Sequence, residues 1–339
     1  MEAKVADIKS ERFRVVVLDD YERLADQAPA YQTLKQRAEV KILTERLETD
    51  AEFGRALAGT HAVLLVRERT RFGEKQFSLA PQVKLIAQTG RTTSHIDLAT
   101  ANKRGVAISV TPTDTGNSTV ELTTALIFAT LRRIPEIDRR MRTERWPAVA
   151  GRLFEGKTLG IVGLGRIGTQ ISRIANIFKA RVLATGRTLT AERAREAGAE
   201  SVSLDKLLRE SDIVTIHVSL NPQTRGMIGA KEFAVMKPGA ILINTARGPI
   251  VSEAALLDAL GSGRLGGAGL DVYDEEPLAM EHPIRGFDNV VLLPHRGYAT
   301  VEILSERYQH AMENILSFID GNPANVINPE VFDVLSRID

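Results

Sequence analysis

Three segments late in the chain bring together an arginine, a carboxylate and a histidine. They are Asn244-Thr-Ala-Arg-Gly-Pro-Ile-Val251, Gly269-Leu-Asp-Val-Tyr-Asp-Glu-Glu-Pro277 and Leu292-Leu-Pro-His-Arg-Gly-Tyr-Ala-Thr300. Each continues a short apolar run of strand character, and in open α/β sheets ligands bind beyond the carboxyl ends of the strands. The segments are therefore expected to converge on one cleft. Arg247 can hold a carboxylate bidentately and polarise the carbonyl beside it. Imidazole as a group titrates near neutral pH, which makes His295 the natural donor of a proton to a carbonyl oxygen that gains charge as hydride reaches the carbon. Glu276, if bonded to that imidazole, favours its protonated form and fixes its orientation. These types suit hydride exchange with a 2-keto acid. Singly, each has a plainer reading: Arg247 as a surface ion pair, Glu276 within a solvated Asp274-Glu-Glu276 turn, and His295 as a turn histidine after Pro294. Their order, downstream of a nucleotide fingerprint, reverses that balance.

The fingerprint is Thr158-Leu-Gly-Ile-Val-Gly-Leu-Gly-Arg-Ile-Gly168. An apolar run from Leu159 to Val162 enters Gly163-x-Gly165-x-x-Gly168, and a helical pattern follows from Ile167 to Ala180. Strand, glycine turn and helix form the context that a dinucleotide site requires. Gly163 permits the tight turn, Gly165 leaves the backbone open to a pyrophosphate, and Gly168 lets helix and strand pack closely. The free amides at the helix start, around Arg166 and Ile167, face the phosphate charge. Candidate cofactor contacts continue at later strand ends with Val218, Thr245 and Ala246.

Positioning these segments requires an alternating architecture. Before the fingerprint, the runs Arg14–Leu18, Ala62–Val66, Lys84–Ala87 and Val106–Ser109 read as strands. Helical stretches lie near Ala30–Ala38 and Ala51–Ala58, and such alternation argues for a parallel sheet. A long helical pattern runs from about Ser118 to Arg142, with Pro135 expected to kink or interrupt it. After the fingerprint strand come Val182–Ala184, Ile213–His217, Ala240–Asn244, Gly267–Val272 and Val290–Leu293, giving six strands of a doubly wound dinucleotide-binding domain. The amphipathic helix Val301–Ile319 is expected to return to the first domain. The domains are then 1–112 with 301–339, and 113–300, with crossings near Thr113 and Tyr298 serving as a hinge.

Composition narrows the class. The chain has 339 residues, 43% hydrophobic and 26% charged, a length and balance suited to two soluble domains. A net charge of +1 gives no field for nucleic acid or an anionic membrane. With no cysteine there is no disulfide, thiolate metal site or cysteine nucleophile. His61, His95, His217, His282 and His310 show no ligand spacing, so no metal site is expected. Met1-Glu-Ala-Lys-Val-Ala-Asp-Ile-Lys9 lacks the apolar core of a signal peptide, and no apolar stretch is long enough to span a bilayer. A cytoplasmic protein is expected.

With these motifs in view, the chain resembles the D-isomer-specific 2-hydroxyacid dehydrogenase family over nearly its whole length. The resemblance rests on the fingerprint, Met236-Lys-Pro-Gly-Ala240, Asn244-Thr-Ala-Arg-Gly248, Gly269-Leu-Asp-Val272 and Pro294-His295. It implies an α/β fold of two Rossmann-like domains: a discontinuous flavodoxin-like substrate domain and a doubly wound NAD(P)-binding domain. It implies Arg247, Glu276 and His295 as the catalytic set, Asp271 at the nicotinamide carboxamide, and Thr119 lining the cofactor site. Gln88-Thr89-Gly90 would cradle the substrate carboxylate through backbone amides, with Arg67 nearby; Arg67 reads equally as a surface charge in Val66-Arg-Glu-Arg69. A homodimer through the cofactor domains is implied, with Trp146 either in that interface or in the core. The chain ends soon after the closing helix, so no appended regulatory domain is expected. Glu276 stands where formate dehydrogenases resemble one another in having glutamine, which argues against formate.

Two departures bear on specificity. NAD sites place an acid about twenty residues past the glycines. Here Val182-Leu-Ala-Thr-Gly-Arg-Thr188 has Gly186 at that position and Arg187 after it, with Thr188 following. Loss of the acid removes repulsion toward a 2′-phosphate and Arg187 offers it a partner, so NADP is favoured over NAD. The bland alternative stacks Arg187 on adenine or leaves it in solvent. Arg296 and Tyr298 replace an aliphatic and a small residue common in the family, in a Gly-Tyr-x-Thr version of a less characterised branch. The reading is an NAD(P)-dependent enzyme interconverting 2-keto and D-2-hydroxy acids, with glyoxylate and hydroxypyruvate the first candidates. A cofactor-sensing binding protein akin to the dehydrogenase-like corepressors is the alternative; a phosphite or other inorganic-acid dehydrogenase would differ only in the pocket.

Overall fold

A computed structural model describes residues 12–111 and 116–332. The signal-peptide reading of the first nine residues and the crossing at Thr113 lie outside the described residues. The chain divides into two compact units, Met1–Thr115 with Thr300–Asp339, and Gly116–Ala299.

The first unit holds five parallel strands, β1 (Phe13–Val17), β2 (Ala38–Ile42), β3 (Ala62–Leu65), β4 (Leu85–Gln88) and β5 (Ala107–Val110), in the order β2-β1-β3-β4-β5. That is the flavodoxin-like order. Helices α1 (Pro29–Arg37), α2 (Asp50–Ala56), α3 (Glu74–Leu79) and α4 (Leu98–Lys103) make the crossovers. Val16, Leu18, Val63, Leu65, Ile86 and Ile108 share one buried cluster with Phe53 of α2 and Phe77 of α3. Since strand side chains alternate in direction, the equally buried Val15, Val17, Leu64, Leu85 and Ala87 line the other face. A sheet covered on both faces explains why these strands read as unbroken apolar runs. Four strands were legible in the sequence; the fifth, β2, is an edge strand of alternating Ala-Glu-Val-Lys-Ile that follows α1 without a loop.

The second unit opens with α5 (Asn117–Leu131) and α6 (Ile134–Met141). The helix expected to run from Ser118 to Arg142 breaks at Arg132–Arg133, where Arg133 has a positive φ of 52°. Pro135 then sits in the first turn of α6, where its missing amide costs nothing. The doubly wound part runs β6 (Thr158–Val162), α7 (Arg166–Ile177), β7 (Arg181–Thr185), α8 (Ala191–Glu196), β8 (Glu200–Ser201), α9 (Leu204–Glu210) and β9 (Ile213–Ile216). It continues with α10 (Ala230–Val235), β10 (Ala240–Asn244), α11 (Glu253–Gly261), β11 (Leu265–Leu270) and β12 (Val290–Leu292). The seven parallel strands lie in the order β12-β11-β10-β9-β6-β7-β8, so the winding reverses between β6 and β9. Six strands were expected; β8 is a two-residue polar edge with no apolar signature. Alternation again sorts the core. Val162, Leu183, Ile216, Leu242 and Leu270 pack with Leu207, Phe233 and Leu256, while Ile161, Val182, Ala184, Ile213 and Ile243 pack with Leu126, Ile171 and Ala194. Trp146 is 84% exposed, which removes the core alternative.

One register row aligns the strand ends of this sheet. Thr185 pairs with Val162, Val162 with Ile216, Ile216 with Asn244, Asn244 with Leu270 and Leu270 with Leu292. The three segments singled out in the sequence begin on this row or one residue before it, at Asn244, Gly269 and Leu292, and run on past it.

The chain finally returns to the first unit as α12 (Val301–Ile319), packed on α1 and on β3, β4 and β5. Leu304, Tyr308, Ala311, Met312 and Ile315 form its buried stripe. Among the described residues no helix is long and apolar enough to cross a membrane. The fully buried Tyr308 donates its hydroxyl to Asp20 Oδ1 at 2.8 Å, and the same carboxylate accepts the amides of Leu24 and Ala25. Burial and the Asp20 carboxylate push the Tyr308 phenol up, so it stays a donor. Removing a donor from a buried acceptor costs about 1–3 kcal/mol. Tyr308→Phe should lower the urea midpoint of unfolding accordingly; an unchanged midpoint would show that this bond does not tie α12 to the end of β1.

Candidate active site

At the reversal between β6 and β9, the glycine turn holds two positions, Gly163 and Gly168, that only glycine fits. Gly163 has φ 104°, its amide donates to the Thr185 carbonyl at 2.8 Å, and a Cβ there would lie 2.7 Å from the His217 carbonyl oxygen and 2.9 Å from Val218. A Cβ on Gly168 would lie 2.3 Å from the Gly163 carbonyl oxygen, so helix and turn meet backbone to backbone. Gly165 differs: a Cβ there would meet nothing within 4 Å, and no side chain caps the start of α7. The helix start therefore opens onto space with its amide dipoles aimed outward, which fits a pyrophosphate. Arg166 is exposed beside it, and Ile167 packs where a Cβ on Gly116 would approach.

At the end of β7, Gly186, Arg187 and Thr188 are all exposed. The Thr188 carbonyl accepts from Arg193 Nη1 at 3.0 Å, which brings a second cation to this turn. Arg193 was not singled out in the sequence, where it reads as one more cation of a charged helix.

The three catalytic candidates come together at the ends of β10, β11 and β12. His295 Nδ1 and Glu276 Oε2 are 2.6 Å apart, while Glu276 Oε1 accepts the Tyr273 amide at 2.9 Å. Burial would raise the Glu276 carboxyl; the His295 bond and charge, the Tyr273 amide and the nearby Arg247 charge together hold it below the ordinary range. Glu276 is thus an anion with a fixed direction. Arg247 is positioned by its neighbours. The Asn244 side chain accepts the Ala246 amide at 3.0 Å and donates to the Arg247 carbonyl at 3.0 Å, bracketing the turn. Arg247 Nη1 donates to the Ala246 carbonyl at 2.7 Å. Gly248 then passes so close to the β11 extension that a Cβ would lie 2.0 Å from the Tyr273 carbonyl carbon. Asn244, Gly248 and Tyr273, none of them candidates at first, are what carry Arg247 to Glu276.

Asp271 anchors the histidine loop. Its two carboxylate oxygens accept the amides of Arg296 and Gly297 at 2.6 and 2.7 Å, and it is 1% exposed. Burial raises its carboxyl against the pull of these amides and of His295. His295 itself has φ 56°, unusual for a residue with a side chain. Thr119, at the start of α5, donates to the Gly297 carbonyl at 2.9 Å. Thr123, one turn further, shares a hydroxyl contact of 2.9 Å with the buried Thr245. His217, beneath the glycine turn, shares a bond of 2.9 Å with Thr215 and is pushed down to about 4 by desolvation, so it is neutral.

In the first unit, the ends of β3, β4 and β5 are laced together. Arg67, at φ 54°, donates its amide to Thr89 Oγ1 at 2.8 Å, and its guanidinium lies over Gly90, where any Cβ would collide with Nη1. Its side chain is only 14% exposed and pairs with Glu68 at 3.3 Å, so it is not a surface charge. The amide cradle needs correction. The Thr89 amide already donates to the Leu65 carbonyl at 2.9 Å and the Gly90 amide to Thr111 Oγ1 at 2.6 Å. What this edge offers an anion is the Arg67 guanidinium laid over Gly90, rather than those two amides. Among the described residues, no group of three or more His, Cys, Asp or Glu is placed to hold a metal ion.

Residues 124–297 match the D-isomer specific 2-hydroxyacid dehydrogenase, NAD binding domain, family. Glyoxylate reductase of Aeropyrum pernix is 36% identical over 343 residues, covering 97% of this chain and 93% of that protein. Glyoxylate reductase of Thermococcus litoralis is 41% identical over 262 residues, covering 74% and 79%. Among solved structures, a putative D-3-phosphoglycerate dehydrogenase oxidoreductase from Ralstonia solanacearum superposes with a TM-score of 0.87 at 33% identity, covering 94% of this chain and 97% of that one. The chain belongs to the D-isomer specific 2-hydroxyacid dehydrogenase family. It is a 2-hydroxyacid dehydrogenase oxidoreductase with a Rossmann nicotinamide-cofactor domain.

The Glu276 shift has a consequence for stability. A carboxyl held below its ordinary value of 4.5 binds protons more weakly folded than unfolded, so its contacts stabilise the fold above 4.5 and are lost as pH falls through the lower folded value. Glu276→Gln should make unfolding free energy fall less steeply on acidification between 4.5 and the lower folded value. Equal slopes in urea titrations across this range would contradict the depressed carboxyl.

Proposed function

We propose that this enzyme reduces small 2-keto acids to D-2-hydroxy acids with NADPH as its preferred donor, His295 delivering the proton. The observation that carries the reading is the 2.6 Å contact between His295 Nδ1 and Glu276, set beside Arg247 at the ends of adjacent strands. The nicotinamide, when bound, supplies the hydride. With Nδ1 engaged by Glu276, Nε2 is the nitrogen left to protonate the substrate oxygen, and the carboxylate stabilises the charged imidazole until transfer. The Arg247 guanidinium binds the substrate carboxylate and orients the carbonyl. Asp271 holds the loop of His295 and offers its carboxylate to the carboxamide; Thr119, Val218, Thr245 and Ala246 line the cofactor. The glycine turn with Arg166 and Ile167 takes the pyrophosphate. The second unit acts as cofactor domain and the first as substrate domain, with Arg67 contributing to substrate binding from its place over Gly90, where Thr89 Oγ1 holds its amide. Glyoxylate is the first candidate, because relatives over nearly the whole chain are named glyoxylate reductase. Hydroxypyruvate is the second.

Preference for NADPH is supported by the turn after β7, where Gly186 has no acid and the exposed Arg187 is joined by Arg193. A charge-assisted bond contributes about 1.5–3 kcal/mol, so Arg187→Ala should weaken NADPH binding roughly tenfold or more and leave NADH unchanged. A wild-type enzyme that binds NADH more tightly would defeat the assignment.

Exposed Trp146, Leu153 and Ile177 on the second unit support a homodimer through that unit. Sedimentation equilibrium should give twice the chain mass; a monomer would refute it. For the chemistry, His295→Asn and Arg247→Ala should each lower kcat about 10²–10⁴-fold. NADPH dissociation constants should stay within about threefold of wild type. Loss of cofactor binding together with turnover would mean that these residues serve folding instead.

A further inference from the structure

The contact with Glu276 restrains the His295 ring at Nδ1 only, and a ring carried on the Cβ–Cγ bond can still tilt about that contact. Nε2, across the ring from Nδ1, moves with such a tilt. A second contact, off the Nδ1–Oε2 axis, is needed to fix its place. Tyr298 supplies one: its ring meets the imidazole edge to face, with centroids 6.2 Å apart and planes at 69°. This separation and tilt fall in the favourable range for aromatic pairs.

The backbone under Tyr298 is held as firmly as that of the histidine. The Arg296 and Gly297 amides are bound by Asp271, and the Ala299 amide donates to the Arg296 carbonyl at 2.8 Å, closing a turn around residues 296–299. Tyr298 therefore projects from a turn whose backbone is held at both ends, which fixes the root of its side chain beside the imidazole. In the sequence Tyr298 stood out as a departure from a small residue and as the neighbourhood of a hinge crossing, with no part in the chemistry attached.

We propose that Tyr298 is a positioning residue for His295, its ring fixing the direction of Nε2 while Glu276 fixes Nδ1. The assignment rests on the reading of His295 as proton donor. The ring acts here, rather than the hydroxyl. An aromatic pair of this kind shifts an equilibrium by up to about tenfold, which sets the scale of the effect.

The test is a double-mutant cycle on the full-length enzyme, using NADPH and glyoxylate. Tyr298→Ala should lower kcat about tenfold, with the NADPH dissociation constant and the glyoxylate KM within about twofold of wild type. Tyr298→Phe should restore kcat to within about twofold. In a His295→Asn background, Tyr298→Ala should cost nothing further, because its target is gone. An undiminished kcat in Tyr298→Ala, a Tyr298→Phe enzyme as impaired as Tyr298→Ala, loss of NADPH binding, or the same fold loss in both backgrounds would each overturn the assignment while leaving the proton-donor reading intact. Full turnover by His295→Asn alone would overturn that reading, and the assignment with it.

Discussion

The register of the seven-stranded sheet is the constraint on which the site depends. Thr185, Val162, Ile216, Asn244, Leu270 and Leu292 lie on one row, so six strands end at a common level. A slip of one residue in any strand would exchange the side chains that its two faces present to the two differently packed cores, so packing on both faces enforces the row. The glycine turn, the Arg187 turn, Arg247, Asp271 and His295 all follow from it. Their chain separations do not matter once the strands are in register.

Above that row, order is maintained by backbone groups rather than by ion pairs. Asp271 spends both oxygens on amides of the histidine loop, Asn244 brackets the arginine turn, and Gly248 touches the Tyr273 carbonyl. Such contacts hold side chains at fixed directions without neutralising the charges the chemistry needs. Glu276 is the exception, pairing with the imidazole it serves.

Much of this was legible in the sequence, because strands buried on both faces carry continuous apolar runs and the glycine turn has few alternatives. What escaped has a physical reason in each case. Strand β2 abuts α1 and alternates like an exposed edge, so its residues merge with the helix in one dimension. Strand β8 is two polar residues. The break at Arg132–Arg133 depends on a positive φ that no residue type announces, and Pro135, the visible signal, only starts the next helix. Within the site, Arg247, Glu276 and His295 stood out because their types carry chemistry. Asn244, Gly248 and Tyr273 did not, since a bracketing side-chain amide, a close backbone approach and a donated backbone amide leave no mark in residue type. The amide cradle at Thr89 and Gly90 failed for a similar reason: whether an amide is open depends on the neighbouring strand, here on Leu65 and Thr111.

The most direct measurement is absorbance at the reduced-nicotinamide band with purified protein, NADPH or NADH, and a panel of 2-keto acids. Oxidation of NADPH with glyoxylate or hydroxypyruvate, faster than of NADH, is the expected result. No oxidation with any keto acid despite tight cofactor binding would contradict a reductase and point to a protein that only senses the cofactor.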